Sequence, residues 1–237
     1  MAGVAAIAEA LAKGEPIARV LVRADVEDAP ASSLVAAAIE AGVPVTREPA
    51  REMQRMTEGE GIESAIALVG PPLATTLEGL MAAPGLAVVL SGLRYPGNVG
   101  FILRAAEVAG AAGVVLDADW TEREHATARR ASIHADRFLP VVEAETREAF
   151  DASRRAGRRI VAVETSGKKT PWSIDLAGPT TIVVGGEAEG IPDDLLARAD
   201  EVVRIPTRGF IPSYNVQAAV GMLLGEWLRQ TEPPAER

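Results

Sequence analysis

The chain has 237 residues, 48% hydrophobic and 24% charged, with no cysteine, two histidines and a formal net charge of −9. That length and balance supply an ordinary globular core and exclude a disordered chain. The missing cysteines exclude a disulfide scaffold, a thiolate-held metal and a thiol nucleophile, and His125 and His134 alone argue against a multi-histidine metal centre.

The opening segment MAGVAAIAEALAKGEP lacks a basic leader and carries Glu9 in a helical pattern. No run approaches the roughly 20 apolar residues of a membrane-spanning helix, so the cytoplasm is the expected location. Residues 4–12 read as a short amphipathic helix, and 17–24 (IARVLVRA) alternate like a strand. Residues 32–41 form a helix opened by Ser32 or Ser33 and closed by Gly42. VPVTRE is a further strand, AREMQRM a helix, and residues 62–70 (IESAIALVG) a β-branched apolar run. Helix and strand thus alternate through a first α/β domain, placed at residues 1–80. Pro71-Pro72 and Pro84-Gly85 bracket a linker helix, TTLEGLMAA.

The second domain, 81–237, opens with LAVVLSGL (86–93), a continuous apolar strand of the kind buried on both faces of a parallel sheet. Then follow a glycine turn, the helix FILRAAEVAG, the strand GVVLDAD (113–119), a helix over 122–132 and extended FLPVVEA. REAFDASRRAG is helical, RRIVAVET and TTIVVGGE are strands, 193–199 a short helix, EVVRIP a short strand and 214–230 a long final helix. This alternation predicts a mostly parallel sheet covered by helices on both faces.

Ligands of such sheets bind beyond the carboxyl ends of the strands, and three turns there are chemically unusual. The first, Pro96 to Arg104, places Asn98 where a helix cap belongs and Arg104 two turns on; a capped helix with an exposed arginine is the plain alternative. The second, Gly185-Gly186-Glu187-Ala188-Glu189-Gly190, allows close backbone approach but is neither a dinucleotide fingerprint nor a P-loop. A tight turn with solvated glutamates accounts for it equally. The third, Ile205 to Val216, fixes an irregular loop with two prolines and a glycine, and Ser213 or Asn215 could simply cap the last helix.

The ordered set N-x-G-x-x-x-R-A-A-x-x-x-G, G-G-E-x-E-G-I and I-P-x-x-G-x-x-x-S-x-N-V closely resembles the three motifs of the SpoU (TrmH-type) RNA ribose methyltransferases over residues 85–230. Residues 1–80, most recognisably GEGIESAIALVG, are similar to the ribosomal-protein-like RNA-binding domain that precedes the catalytic domain in many members. The resemblance implies a trefoil-knotted α/β fold and a homodimer with an active site drawn from both subunits; no metal is expected, on the cysteine and histidine counts above. It implies methyl transfer from S-adenosylmethionine to a ribose 2′-hydroxyl of RNA, with ribosomal RNA ahead of tRNA because of the first domain.

By motif match, Gly185, Gly186, Ile205, Pro206, Tyr214 and Asn215 would hold the cofactor, joined by Ala162 or its neighbours through Thr165. Asn98, Arg104, Glu187, Ser213 and Asn215 fall on the family's polar catalytic positions. Since a guanidinium stays protonated in proteins, Arg104 is expected to stabilise the developing alkoxide and clamp the neighbouring phosphate. Glu187 would orient the loop or neutralise Arg104.

Tyr214 stands where leucine is usual, Gln217 where a small polar residue is usual, and His134 where glycine is usual. Residues 1–83 hold 6 Lys/Arg against 12 Asp/Glu and the remainder 18 against 21, so any phosphate track must be local. Its candidates are Arg123, Arg129, Arg130 and Arg137, and a second cluster of Arg154, Arg155, Arg158, Arg159, Lys168 and Lys169, each otherwise a solvated face. A Rossmann-type nucleotide enzyme and a non-catalytic RNA-binding protein of the same fold remain as alternatives.

Overall fold

The computed structural model describes residues 1–54, 56, 63–186 and 190–232, in two compact units, Met1–Leu73 and Ala74–Arg237. In the first unit, α1 (Val4–Ala12), β1 (Ile17–Arg23), α2 (Ala29–Glu40), β2 (Val45–Glu48), α3 (Ala50–Gln54) and β3 (Ala65–Val69) follow in chain order. The sheet runs β2-β1-β3, with β2 parallel and β3 antiparallel to β1. Val20 and Val22 of β1 meet Ile7, Ala10, Leu34 and Ala38 in a core beneath α1 and α2. The second helix starts earlier than its serines suggest. Asp28 accepts the Ala31 N–H at 2.8 Å and Pro30 fits the first turn, so Ser32 and Ser33 lie inside the helix rather than at its cap.

The second unit comprises α4 (Leu77–Ala82), β4 (Leu86–Ser91), α5 (Pro96–Val108), β5 (Gly113–Asp117), α6 (Glu122–Ala131), β6 (Val141–Glu143), α7 (Thr146–Arg155), β7 (Arg159–Val163), β8 (Thr180–Gly185), α8 (Asp193–Leu196), β9 (Glu201–Val203) and α9 (Val216–Thr231). Its six strands are all parallel, in the order β6-β5-β4-β8-β7-β9. The apolar run of β4 is wholly buried because its alternate residues serve two cores. Leu86, Val88 and Leu90 pack with Ile102 of α5 and Val220, Leu223 and Trp227 of α9. Ala87 and Val89 face the other side, with Leu80, Phe150 and Leu195. Each large side chain so buried contributes roughly 1.5–3 kcal/mol.

The segment TTLEGLMAA is not a linker. Leu80 and Met81 of α4 are fully buried in the second core cluster, so the chain divides between Leu73 and Ala74 and not between residues 80 and 81.

The arginine-rich stretch at the end of α7 and just beyond it is also structural. Arg158 is 2% exposed, and its guanidinium donates to the carbonyls of Met81, Ala83, Gly85 and Thr180 and to the Thr181 hydroxyl. It thereby joins the end of α4 to the residue that precedes β4 and to the first residues of β8. Burial pulls its pKa down to about 10, still far above neutral pH, so the group stays a cation held by neutral acceptors. Arg154 pairs with Asp200 at 2.7 Å, Arg155 with Glu78 at 3.4 Å and Lys169 with Glu201 at 2.7 Å, while Arg159 donates to the Asp175 carbonyl. Of the two clusters expected to follow phosphates, this one is therefore largely consumed within the fold.

Replacing Arg158 by methionine strands several buried carbonyls. Urea unfolding should show a loss of about 3–5 kcal/mol. A loss below about 1 kcal/mol would mean that the clamp contributes little.

Candidate functional site: a glycine-walled cavity at the carboxyl ends of the sheet

The topology of the second sheet leaves a crevice beyond β7 and β8, where the strand order departs from chain order. A cavity of about 550 Å³ lies there, within the range of roughly 300–1,000 Å³ typical of small-molecule sites. It is lined by residues 163–166 at and after the end of β7, by 184–186, 190 and 191 at and after the end of β8, and by 205, 207 and 212–214 of the loop ahead of α9.

Its walls depend on glycines. A Cβ on Gly185 would stand 2.4 Å from the Gly190 carbonyl carbon, and one on Gly186 would stand 2.4 Å from the Gly92 oxygen. Neither position has room for a side chain. The turn is closed by the Gly190 N–H donating to the Gly186 oxygen at 3.0 Å, and Gly186 N–H donates to the Ser91 oxygen at 2.8 Å.

The charged residues lining the cavity, among the described residues, are both acidic: Glu164 and Asp193. Glu164 sits just past β7, half-buried, where its Oε1 accepts the Ile191 N–H at 3.1 Å and its Oε2 the Thr165 N–H at 3.3 Å. Its own N–H donates to the Val203 carbonyl at 2.9 Å. The motif match points to this strand end but singles out Ala162 and Thr165. Thr165 does line the cavity. Ala162 does not, because it is fully buried one residue inside the strand, paired with Val183 and Val202 on the core face. The signal that marks Glu164 in the sequence is a lone carboxylate ending an apolar strand.

The third motif meets the cavity directly. Ile205, Ser213 and Tyr214 line it, and the Tyr214 hydroxyl donates to the Pro206 carbonyl at 3.3 Å, bracing the two ends of the loop. Pro206 itself serves through this carbonyl and is exposed. Asn215 is the cap of α9, its Oδ1 accepting the Gln217 N–H at 2.9 Å. Its Nδ2 reaches the Asn98 Oδ1 at 3.4 Å, so the first and third motifs touch. The cap position is thus taken by Asn215, and Ser213 is left free of that duty.

In the first motif the helix starts earlier than expected. Tyr95 is its N-cap, Pro96 occupies the first turn and Asn98 lies inside it, because proline's missing N–H costs nothing there. Arg104 is exposed on α5, does not line the cavity, and has no ion-pair partner among the described residues. Glu187 lies outside the described residues.

The remaining arginines lie on and just after α6. Arg123 and Arg130 are exposed, Arg129 stands 3.6 Å from Glu122, and Arg137 is half-buried in the short helical turn Ala135–Arg137. The turn before it explains the expected glycine. His134 takes φ 58° and Ile133 φ 55°, a left-handed pair that costs a β-branched residue most. His125 stands edge-on to Trp120 at 5.5 Å and 3.6 Å from Glu143. Among the described residues no group of three His, Asp or Glu side chains could hold a metal, and no helix is long and apolar enough to cross a membrane.

Comparison with known proteins covers the stretch that holds the three motifs. The profile of the SpoU rRNA Methylase family matches residues 85–225. A 23S rRNA (guanosine-2′-O-)-methyltransferase, RlmB, of Pseudomonas aeruginosa is 34% identical over 122 residues, 51% of this chain; the chain spans about half (49%) of that relative's length. A tRNA/rRNA methyltransferase of Mycobacterium avium, itself uncharacterized, is 31% identical over 233 residues, covering 94% of this chain and 75% of the relative. The crystal structure of an AdoMet-bound rRNA methyltransferase from Sinorhizobium meliloti superposes with a TM-score of 0.62 at 25% identity, covering 97% of this chain and 86% of that one. With motifs, parallel sheet and crevice in agreement, the chain belongs to the SpoU rRNA methylase family.

Proposed function

We propose that this protein transfers a methyl group from S-adenosylmethionine to a ribose 2′-hydroxyl of RNA, with ribosomal RNA as the substrate. The observation that carries the reading is the cavity itself, with backbone walls too close for side chains and two carboxylates among its lining. That lining suits a ligand bearing positive charge and exposed edges that bond to backbone. It suits a dinucleotide poorly, because a pyrophosphate needs free N–H groups or cations and here would face Glu164 and Asp193. The names of the Pseudomonas and Sinorhizobium relatives support both the substrate class and the cofactor. The Mycobacterium relative's name leaves tRNA as the second substrate to test.

When bound, the cofactor supplies an electrophilic methyl group on a sulfonium. Backbone groups of Gly185, Gly186, Ile205 and Tyr214, with Thr165, would hold it, and Glu187 would steady the loop beyond Gly186. Asn98 and Asn215, already in contact, would fix the hydroxyl's surroundings together with Ser213. Arg104, as a permanent cation, would clamp the adjacent phosphate and stabilise the alkoxide as the hydroxyl proton leaves.

A homodimer fits the position of that arginine. Arg104 shares its helix face with Phe101, 51% exposed, and Val108, 76% exposed, in a stripe at helical spacing. Burying this stripe against a second copy would bring an arginine that does not line its own cavity to that of the partner. The knotted path fits the ties between the excursion after β7 and the chain leaving β9. Glu164 N–H donates to the Val203 oxygen and Arg204 N–H to the Lys169 oxygen, both at 2.9 Å, before α9 returns to α5. Residues 1–73 would act as the RNA-binding domain, with Arg123, Arg129, Arg130 and Arg137 as the phosphate track of the second unit.

Calorimetric titration should show binding of S-adenosylmethionine and S-adenosylhomocysteine and none of a nicotinamide dinucleotide. Failure of both, even with RNA present, would turn the reading to a non-catalytic RNA-binding protein. Arg104→Ala should lower methylation of ribosomal RNA by about 100-fold or more, leaving cofactor affinity within about twofold. A variant with undiminished turnover would remove Arg104 from the chemistry. Neutralising Arg123, Arg129, Arg130 and Arg137 should flatten the log–log dependence of RNA affinity on salt by about 0.7–0.9 for each phosphate left without its arginine. An unchanged slope would place the track elsewhere.

A further inference from the structure

We propose that Glu164 makes the cavity selective for the charged, methylated cofactor over its neutral product, so that turnover itself weakens the grip on the spent molecule. The inference rests on the methyl-transfer reading above. Three observations support it. The carboxylate is half-buried at the carboxyl end of β7 and lines the cavity, where solvent screening is weaker than at the surface. It is fixed in place: Oε1 accepts from Ile191 N–H at 3.1 Å, Oε2 from Thr165 N–H at 3.3 Å, and a Cβ on Gly190 would stand 2.7 Å from Oε1. Among the described residues no lysine, arginine or histidine pairs with it or lines the cavity, so its charge is available to a ligand. Asp193, the other carboxylate, is exposed on the first residue of the short α8 and is better screened.

Methyl transfer forms a carbon–oxygen bond and breaks the carbon–sulfur bond. The electron pair stays on sulfur, the hydroxyl proton passes to solvent, and a cationic sulfonium becomes a neutral thioether. A fixed carboxylate attracts the first and is indifferent to the second, whereas the backbone walls contact both alike. The hydrogen bond from Ile191 N–H also ties the chain after β8 to the segment that follows β7, so the group which senses charge also joins two walls of the cavity.

The substitution that separates these roles is Glu164→Gln, which keeps size and acceptor oxygen and removes the charge. Binding of S-adenosylmethionine, of sinefungin (an amine in place of the sulfonium) and of S-adenosylhomocysteine would be measured by calorimetry on the full chain. The wild type should prefer the two cationic ligands by about tenfold or more. In E164Q the preference should fall to about twofold, with the affinity for S-adenosylhomocysteine unchanged within about twofold; that retained affinity also certifies the fold. Parallel weakening of all three ligands would mean that Glu164 only shapes the turn, and the proposal would fall. Equal wild-type affinities for the charged and neutral ligands would overturn it without any variant. Should the wild type bind none of the three, it is the cofactor reading that fails instead.

Discussion

The site depends on one steric constraint: beyond β8 the chain folds back so tightly that Gly185 lies against Gly190 and Gly186 against Gly92, with no space for a side chain at either. Only glycine satisfies it, and the consequence is a wall made of backbone. Such a wall presents N–H and C=O groups at fixed positions and cannot be repacked by rotamer changes. The loop ahead of α9 closes the other side, braced by the Tyr214–Pro206 hydrogen bond and anchored by the Asn215 cap. The cavity is therefore rigid where its glycines and prolines are and polar where its backbone is exposed. That is the character of a site that holds a small ligand through backbone groups.

Charge is distributed in a way the net value of −9 conceals. Several arginines at the end of α7 and beyond it are consumed by the fold: Arg158 by carbonyls, Arg154 and Arg155 by carboxylates, and Arg198 by Asp151 and the face of Phe150. Among the described residues, exposed arginines without such ties include Arg104 on α5, Arg123 on α6, and Arg204 and Arg208 on the chain ahead of α9; α5 and α6 pack against each other through Gly100. Acidic groups, in contrast, line the cavity. An acidic protein can thus keep anion-binding and cation-binding surfaces in one unit, since a Debye length of about 8 Å at physiological salt isolates each patch from the whole.

Some elements are readable because their cause is local. The run LAVVLSGL has no polar interruption, which fits a strand buried on both faces, and it forms β4 at the centre of the sheet. The start of α5 is harder to place because Asn98 has cap chemistry, while proline's preference for the first turn sets the true cap, Tyr95, three residues earlier. The start of α2 moves for the same reason, with Asp28 ahead of Pro30. The helix between Pro71-Pro72 and Pro84-Gly85 reads as a linker because chain breakers bracket it, yet Leu80 and Met81 have a full core to enter. Ala162 lies one strand residue too early to reach the cavity, since period-2 alternation puts it on the core face and the next exposed positions at the site.

By itself, the sequence determined the alternation of strands and helices, the three turns and their order, and hence the family. Each of these is written in residues adjacent along the chain, through periodicity, proline and glycine. Only the tertiary structure decided which charges remain for ligands, that Asn98 and Asn215 meet, and that Glu164 stands unpaired by any cation in the cavity wall among the described residues. Those outcomes depend on partners tens of residues away, and no local pattern specifies whether an arginine faces a carbonyl, a carboxylate or water.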